Sequence, residues 1–134
     1  MDQRKVRETD IPLLTEWISR DPYHRDTTTA DFFFEAGTVC NVYSDHRGPV
    51  LFMRGQPMLV GPRGKVIRLD IQFDNEQTLR NGRMLIIVNK IFCEQAKKAG
   101  FKELFFTSDF PTLKAFCVRA LGFSEKNGTL SKSL

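Results

Sequence analysis

Residues 66–100 constrain this chain more than any other stretch. Over 65–73, Ile67, Leu69, Ile71 and Phe73 alternate with Val66, Arg68, Asp70 and Gln72. A period of two places each set on its own face of a strand, one face apolar and the other largely polar. A polar face on such a strand suits a substrate cleft, and a solvated sheet surface has the same pattern. A polar loop ending in Arg80-Asn81-Gly82-Arg83 follows, and the period then becomes helical over 81–99. Leu85, Val88, Phe92, Ala96 and Ala99 form one stripe, widened by Met84, Ile87 and Ile91. Lys97 and Lys98 suit the negative end of that helix, and Gly100 ends it. Residues 103–107 then read as a short buried strand, so a right-handed parallel crossover is expected. A strand feeding a helix through such a loop makes an anion seat, and two arginines beside a glycine suit a phosphorylated ligand. A plain polar strand–helix connection has the same composition.

The flanking sequence adds elements to this unit. A short first strand is expected over 5–8. Asp10 precedes Ile11-Pro12, where a helix can start, and Leu14, Trp17 and Ile18 follow at helical spacing until Asp21-Pro22. Thr28 with Asp31 three residues on predicts a second helix ending at Gly37. Phe32, Phe33 and Phe34 cannot share one helix face, so at least one must meet a loop, a ligand or a partner. Residues 39–43 and 49–54 read as strands of a hairpin. Residues 55–64 either extend the second strand past a bulge or form a short edge strand. Pro111 opens a last helix with Leu113, Phe116, Cys117 and Ala120 inward, and Gly122 stops it. A closing strand or hairpin surrounds Asn127-Gly128.

Composition narrows the class further. A chain of 134 residues suits one domain, 1–134, with a proper core rich in its twelve phenylalanines. The net charge of +4 favours an anionic ligand or acidic partner, but no sustained Lys/Arg run marks a nucleic-acid surface. Cys40, Cys93 and Cys117 are odd in number and widely spaced, which points to reduced, mostly buried thiols. His24 and His46 are isolated, so no metal site is expected. Residues 1–10 lack the apolar core of a signal peptide and no run reaches membrane-spanning length, so a soluble cytoplasmic protein is expected.

The element order, the residues over 67–84, and the segment KAFCVRALGF within 113–123 resemble the GNAT N-acetyltransferase superfamily. The resemblance implies an α/β fold with a mixed, mainly antiparallel sheet of six to seven strands flanked by about four helices. It also implies an acyl-CoA-dependent N-acyltransferase that passes an acetyl group from acetyl-CoA to an amine by direct attack. The acceptor would be a small molecule or a protein, and no metal takes part. In that family a Gln/Arg-x-x-Gly-x-Gly/Ala loop binds the pyrophosphate. Gln77, Arg80 and Gly82 fall on its three positions, with Arg80 where a glycine is usual; the other register puts Gly82 on the first glycine, with Leu79 and Met84 outside the pattern. By resemblance, Ile71, Gln72, Phe73, Gln77, Arg80, Asn81, Gly82, Arg83 and Ser108 line the acyl-CoA site. Asp70 is the carboxylate that takes the amine's proton, and Tyr23, His24 and Phe33 shape the acceptor pocket. The tyrosine that commonly protonates the leaving thiolate is replaced by Val118.

That replacement supports a second reading, a catalytically inactive protein of the same fold. The acetyltransferase-like proteins encoded by tailed phages, some virion-associated, are examples, and their locations would be host cytoplasm or virion. Neither nucleic acid nor membrane is an expected partner, and a homodimer is compatible with the sequence.

Overall fold

A computed structural model describes all 134 residues. Seven strands form one sheet: β1 (Asp2–Lys5), β2 (Val39–Asp45), β3 (Gly48–Val60), β4 (Gly64–Phe73), β5 (Glu103–Thr107), β6 (Ser124–Lys126) and β7 (Thr129–Ser133). Their order is β1-β2-β3-β4-β5-β7-β6. Three α-helices accompany them: α1 (Ile11–Ser19), α2 (Thr78–Lys98) and α3 (Pro111–Ala120). The sheet is mixed and mostly antiparallel; β4 and β5 run parallel, as a strand–helix–strand connection through α2 demands.

The chain divides into two compact units, residues 1–55 with 70–84 and residues 56–69 with 85–134. In the first, β1 and β2 pair antiparallel from Asp2↔Ser44 to Lys5↔Asn41. The β2–β3 hairpin closes at Asp45↔Gly48, with a bulge after Tyr43. Leu14, Trp17 and Ile18 of α1 bury against Cys40, Val42 and Phe52, with Ala30 and Phe33 completing the cluster. Burying each large apolar side chain contributes about 1.5–3 kcal/mol. The edge-to-face contact of Trp17 and Phe52, with centroids 5.5 Å apart, adds about 1 kcal/mol.

Three expectations change and one open alternative is settled. The first strand lies over 2–5 and not 5–8, because it follows the edge of β2. The predicted second helix is only a 3-10 turn, Ala30–Phe34, so three α-helices form where about four were expected. The three phenylalanines explain this: Phe33 enters the core while Phe32 and Phe34 stay half-buried on its margin. Residues 55–60 extend β3, resolving the two alternatives for that stretch. Ile87 of α2 is exposed, whereas Leu85, Val88 and Ala96 are buried, so the inward stripe is narrower than its sequence pattern.

In the second unit β4 and β5 pair from Val66↔Glu103 to Arg68↔Phe105, and β5 pairs with β7 along its length. Asn127 (φ 53°) and Gly128 (φ 82°) give the tight β6–β7 turn its two consecutive positive φ values. Phe106 and Phe123 meet edge-to-face at 5.3 Å. No helix is long and apolar enough to cross a membrane.

Candidate functional site

The polar face of β4 is where chemistry-bearing side chains gather. Asp70 and Gln72 lie two residues apart on one strand and therefore on one face. Opposite Asp70 stands Arg54 of β3, only 2% exposed, whose Nη1 donates to Asp70 Oδ2 at 3.2 Å. The guanidinium also donates through Nε to the Phe32 carbonyl (2.9 Å) and through Nη2 to Glu35 Oε1 (3.1 Å). Its plane sits 3.9 Å over the Phe32 ring. Phe32, on the margin of the core, thus has a cation as its partner. A buried guanidinium needs such partners, because an unpaired one would be prohibitively costly.

Gln72 is wholly buried. Its Nε2 donates to Asp21 Oδ2 (3.1 Å) and to the Phe73 carbonyl (2.8 Å). Two acceptors on one side fix the amide, so Oε1 faces His24 Nδ1 at 2.7 Å. His24 Nδ1 is also 3.2 Å from Asp21 Oδ2. Asp21 Oδ1 accepts the Tyr23 N–H at 2.8 Å. Burial opposes ionisation of Asp21, but the bonds from His24, Tyr23 and Gln72 outweigh it and hold the carboxyl below its usual range. The bond to Asp21 raises the His24 imidazole; burial opposes this, and Gln72 and the charge of Asp70 reinforce it.

Four residues separate the end of β4 from the helix start. Gln77 accepts the first helical bond, from Asn81 N at 2.8 Å, so α2 begins at Thr78 and not at 81. Arg80, expected in the loop, and Asn81, Gly82 and Arg83, expected where loop passes into helix, all occupy the first helical turns. Asp74 shapes the approach: its carbonyl accepts from Gln77 N (3.0 Å) and Asn81 Nδ2 (2.7 Å), and its carboxylate accepts from Glu76 N (3.1 Å). The N–H groups of Thr78, Leu79 and Arg80 precede the first helical bond and have no acceptor within the helix.

Arg80 itself is committed elsewhere. Its Nε and Nη2 each lie 2.8 Å from an Asp45 oxygen, and Nη2 also donates to the Gly48 carbonyl at 3.0 Å. The guanidinium holds Asp45 well below the usual carboxylate range. The side chain thus fastens the β2–β3 turn to α2, whereas Arg83 is exposed and has no ion pair. Asn81 is buried as a strut of the turn, its Oδ1 without a partner.

The remaining expected residues separate. Ile71 is half-buried and Phe73 buried on β4. Phe33 belongs to the core cluster and does not face an acceptor, whereas Tyr23 is exposed. Ser108 Oγ accepts the Phe110 N–H at 3.1 Å and serves the turn into α3. Val118 is exposed on α3. Burial pushes the Cys117 thiol up to about 12, as packing and not reactivity requires. Sequence reasoning missed Asp21, Glu35, Arg54 and Asp74. Only Arg54, a charge within an otherwise apolar strand, carried a visible signal.

No protein-family model and no curated protein matches the chain. Solved structures do. The aminoglycoside acetyltransferase AAC(6')-Ib, in complex with coenzyme A and kanamycin, matches with a TM-score of 0.72 at 14% identity, over 98% of this chain and 93% of its own. Ribosomal-protein-alanine N-acetyltransferase from Brucella melitensis matches at 0.69 and 14%, over 100% of both chains. The protein smu.2055 from Streptococcus mutans matches at 0.70 and 16%, over 99% of both. Strand order, parallel crossover and these superpositions together establish that the chain has the fold of the GNAT N-acetyltransferases.

Proposed function

We propose that this protein is an acyl-CoA-dependent N-acyltransferase of a single catalytic domain, working in the cytoplasm. The observation that carries the reading is an acetyltransferase fold whose fourth strand gathers Asp70, Gln72, Arg54 and His24 on one face. Acetyl-CoA donates the acyl group. Its phosphates take the open N–H groups of Thr78, Leu79 and Arg80 and the unpaired side chain of Arg83, a combination of amide donors and helix-end potential suited to anions. Backbone N–H groups over 71–73 polarise the thioester carbonyl. The acceptor arrives as an ammonium and meets the Asp70 carboxylate, giving the orientation that direct attack requires. Local charge agrees: Asp21, Glu35 and Asp70 are three carboxylates against one guanidinium.

Thermal melts with acetyl-CoA test this. A dissociation constant near 10 µM raises stability by about 2.7 kcal/mol at 1 mM ligand, or a melting temperature increase of roughly 10 °C. Arg83→Glu is expected to remove most of that shift. No shift in the parent protein would sink the reading. Val118, an exposed alkyl side chain where an acid would serve the thiolate, favours the second reading, a non-catalytic protein of this fold. Acetyl-CoA binding without thiol release on any amine would point there.

A further inference from the structure

We propose that His24, through Nε2, is the catalytic base of the acyl transfer, with Asp21 and Gln72 as its positioning residues. The inference rests on the acyltransferase reading and deepens it.

The geometry decides the tautomer. Both groups facing His24 Nδ1, namely Gln72 Oε1 (2.7 Å) and Asp21 Oδ2 (3.2 Å), are acceptors. Gln72 cannot turn its amide over without losing bonds to Asp21 and to the Phe73 carbonyl. Nδ1 therefore carries the hydrogen in both charge states, and the neutral ring holds its lone pair on Nε2. Nε2 has no protein partner, and the side chain is 35% exposed, open to an incoming amine. Asp70 stands in the opposite condition: its carboxylate is already bonded to Arg54. A base needs an open lone pair and an orienting neighbour, and His24 has both. The charged groups acting on the ring are Asp21 from its own loop and Asp70 from β4, the latter shared with Arg54 of β3. They raise the basicity of Nε2, bringing it closer to that of the amine it must deprotonate.

The step balances as follows. The acceptor ammonium gives one proton to Nε2, and the freed nitrogen lone pair attacks the acyl carbon. The C–N bond forms and the C–S bond breaks, the sulfur leaving with the bonding pair. The second proton lost from nitrogen ends on that thiolate, and the imidazolium returns its proton to solvent.

The test combines turnover with NMR on the full chain. Thiol release is followed with acetyl-CoA and ethanolamine, spermidine or alanine amide as probe acceptors. His24→Ala is expected to lower kcat at least about 100-fold with acetyl-CoA affinity within twofold, and added imidazole to restore part of the rate. Asp21→Asn is expected to shift the acidic limb of the kcat profile to lower pH, which a purely structural defect would not do. Nitrogen-15 spectra of the free protein are expected to place the neutral-form hydrogen on Nδ1. Retention of kcat within fivefold in His24→Ala, a hydrogen on Nε2, or bound acetyl-CoA with no turnover on any probe would each overturn the assignment. Failure of acetyl-CoA to bind the parent protein would instead overturn the acyltransferase reading from which it follows.

Discussion

Replacing Arg54 by methionine keeps most of the side-chain stem and removes only the guanidinium. The structure sets the expected cost. Lost are the bond to the Phe32 carbonyl, the ion pair with Asp70, and the stacking on Phe32. Glu35 is 53% exposed and adds little, because exposed pairs are screened by water. Removing one partner of a buried pair costs about 3–5 kcal/mol, and with Glu35 discounted the lower end, about 3 kcal/mol, is expected. For a chain of this size about 1 kcal/mol moves the melting temperature by roughly 3–5 °C, so the loss is roughly 9–15 °C. Calorimetry at pH 7 measures it. Arg54→Met/Asp70→Asn is expected to recover part of the loss, since the double variant no longer leaves a carboxylate facing an apolar side chain. A melting temperature within about 3 °C of the parent, or above it, would refute the claim that this guanidinium organises the polar face of β4.

Arg80→Ala is expected to cost about 1–2 kcal/mol by releasing Asp45 and Gly48, and to cost little in an Asp45→Ala background, as urea midpoints would show. Stability should also follow the Asp21–His24 pair. The folded Asp21 carboxyl lies below its ordinary value, so its contribution is present above about pH 4 and lost as pH falls through the folded value. His24 is raised, so its contribution is complete below about pH 6.5 and lost as pH rises through the folded value. Urea midpoints of the parent and His24→Ala should therefore differ most at about pH 5 and least at about pH 9. Burial pushes the Cys40 and Cys117 thiols up to about 12, so a thiol reagent at mild alkaline pH should label the half-buried Cys93 first and the others only on unfolding.

Much of the fold was legible in the sequence because local patterns encode it. Alternation over 65–73 marks β4, a helical stripe with Gly100 behind it marks α2, and Asn127-Gly128 marks the last turn. These signals arise from neighbours a few residues apart, and the backbone converts them directly into strand, helix and turn. The short turn at Ala30–Phe34 escaped because the core takes Phe33 and the Arg54 guanidinium takes Phe32, a division that propensity cannot foresee.

The candidate site was legible only as a set of residue types. Asp70, Gln72, His24 and Arg80 stood out by position, but their roles depend on partners far along the chain. Gln72 meets His24 across 48 residues and Asp21 across 51, and Arg80 meets Asp45 across 35. Whether an arginine faces a phosphate or a carboxylate, and whether a histidine is isolated or oriented, depends on those meetings. The sequence by itself determined the order of the strands and of the three α-helices, and the polar face of β4. The tertiary structure decided which charges on that face are spent on one another and which nitrogen is left open. Hydrogen bonds act only over about 3 Å, and only folding brings groups so distant in sequence within that reach.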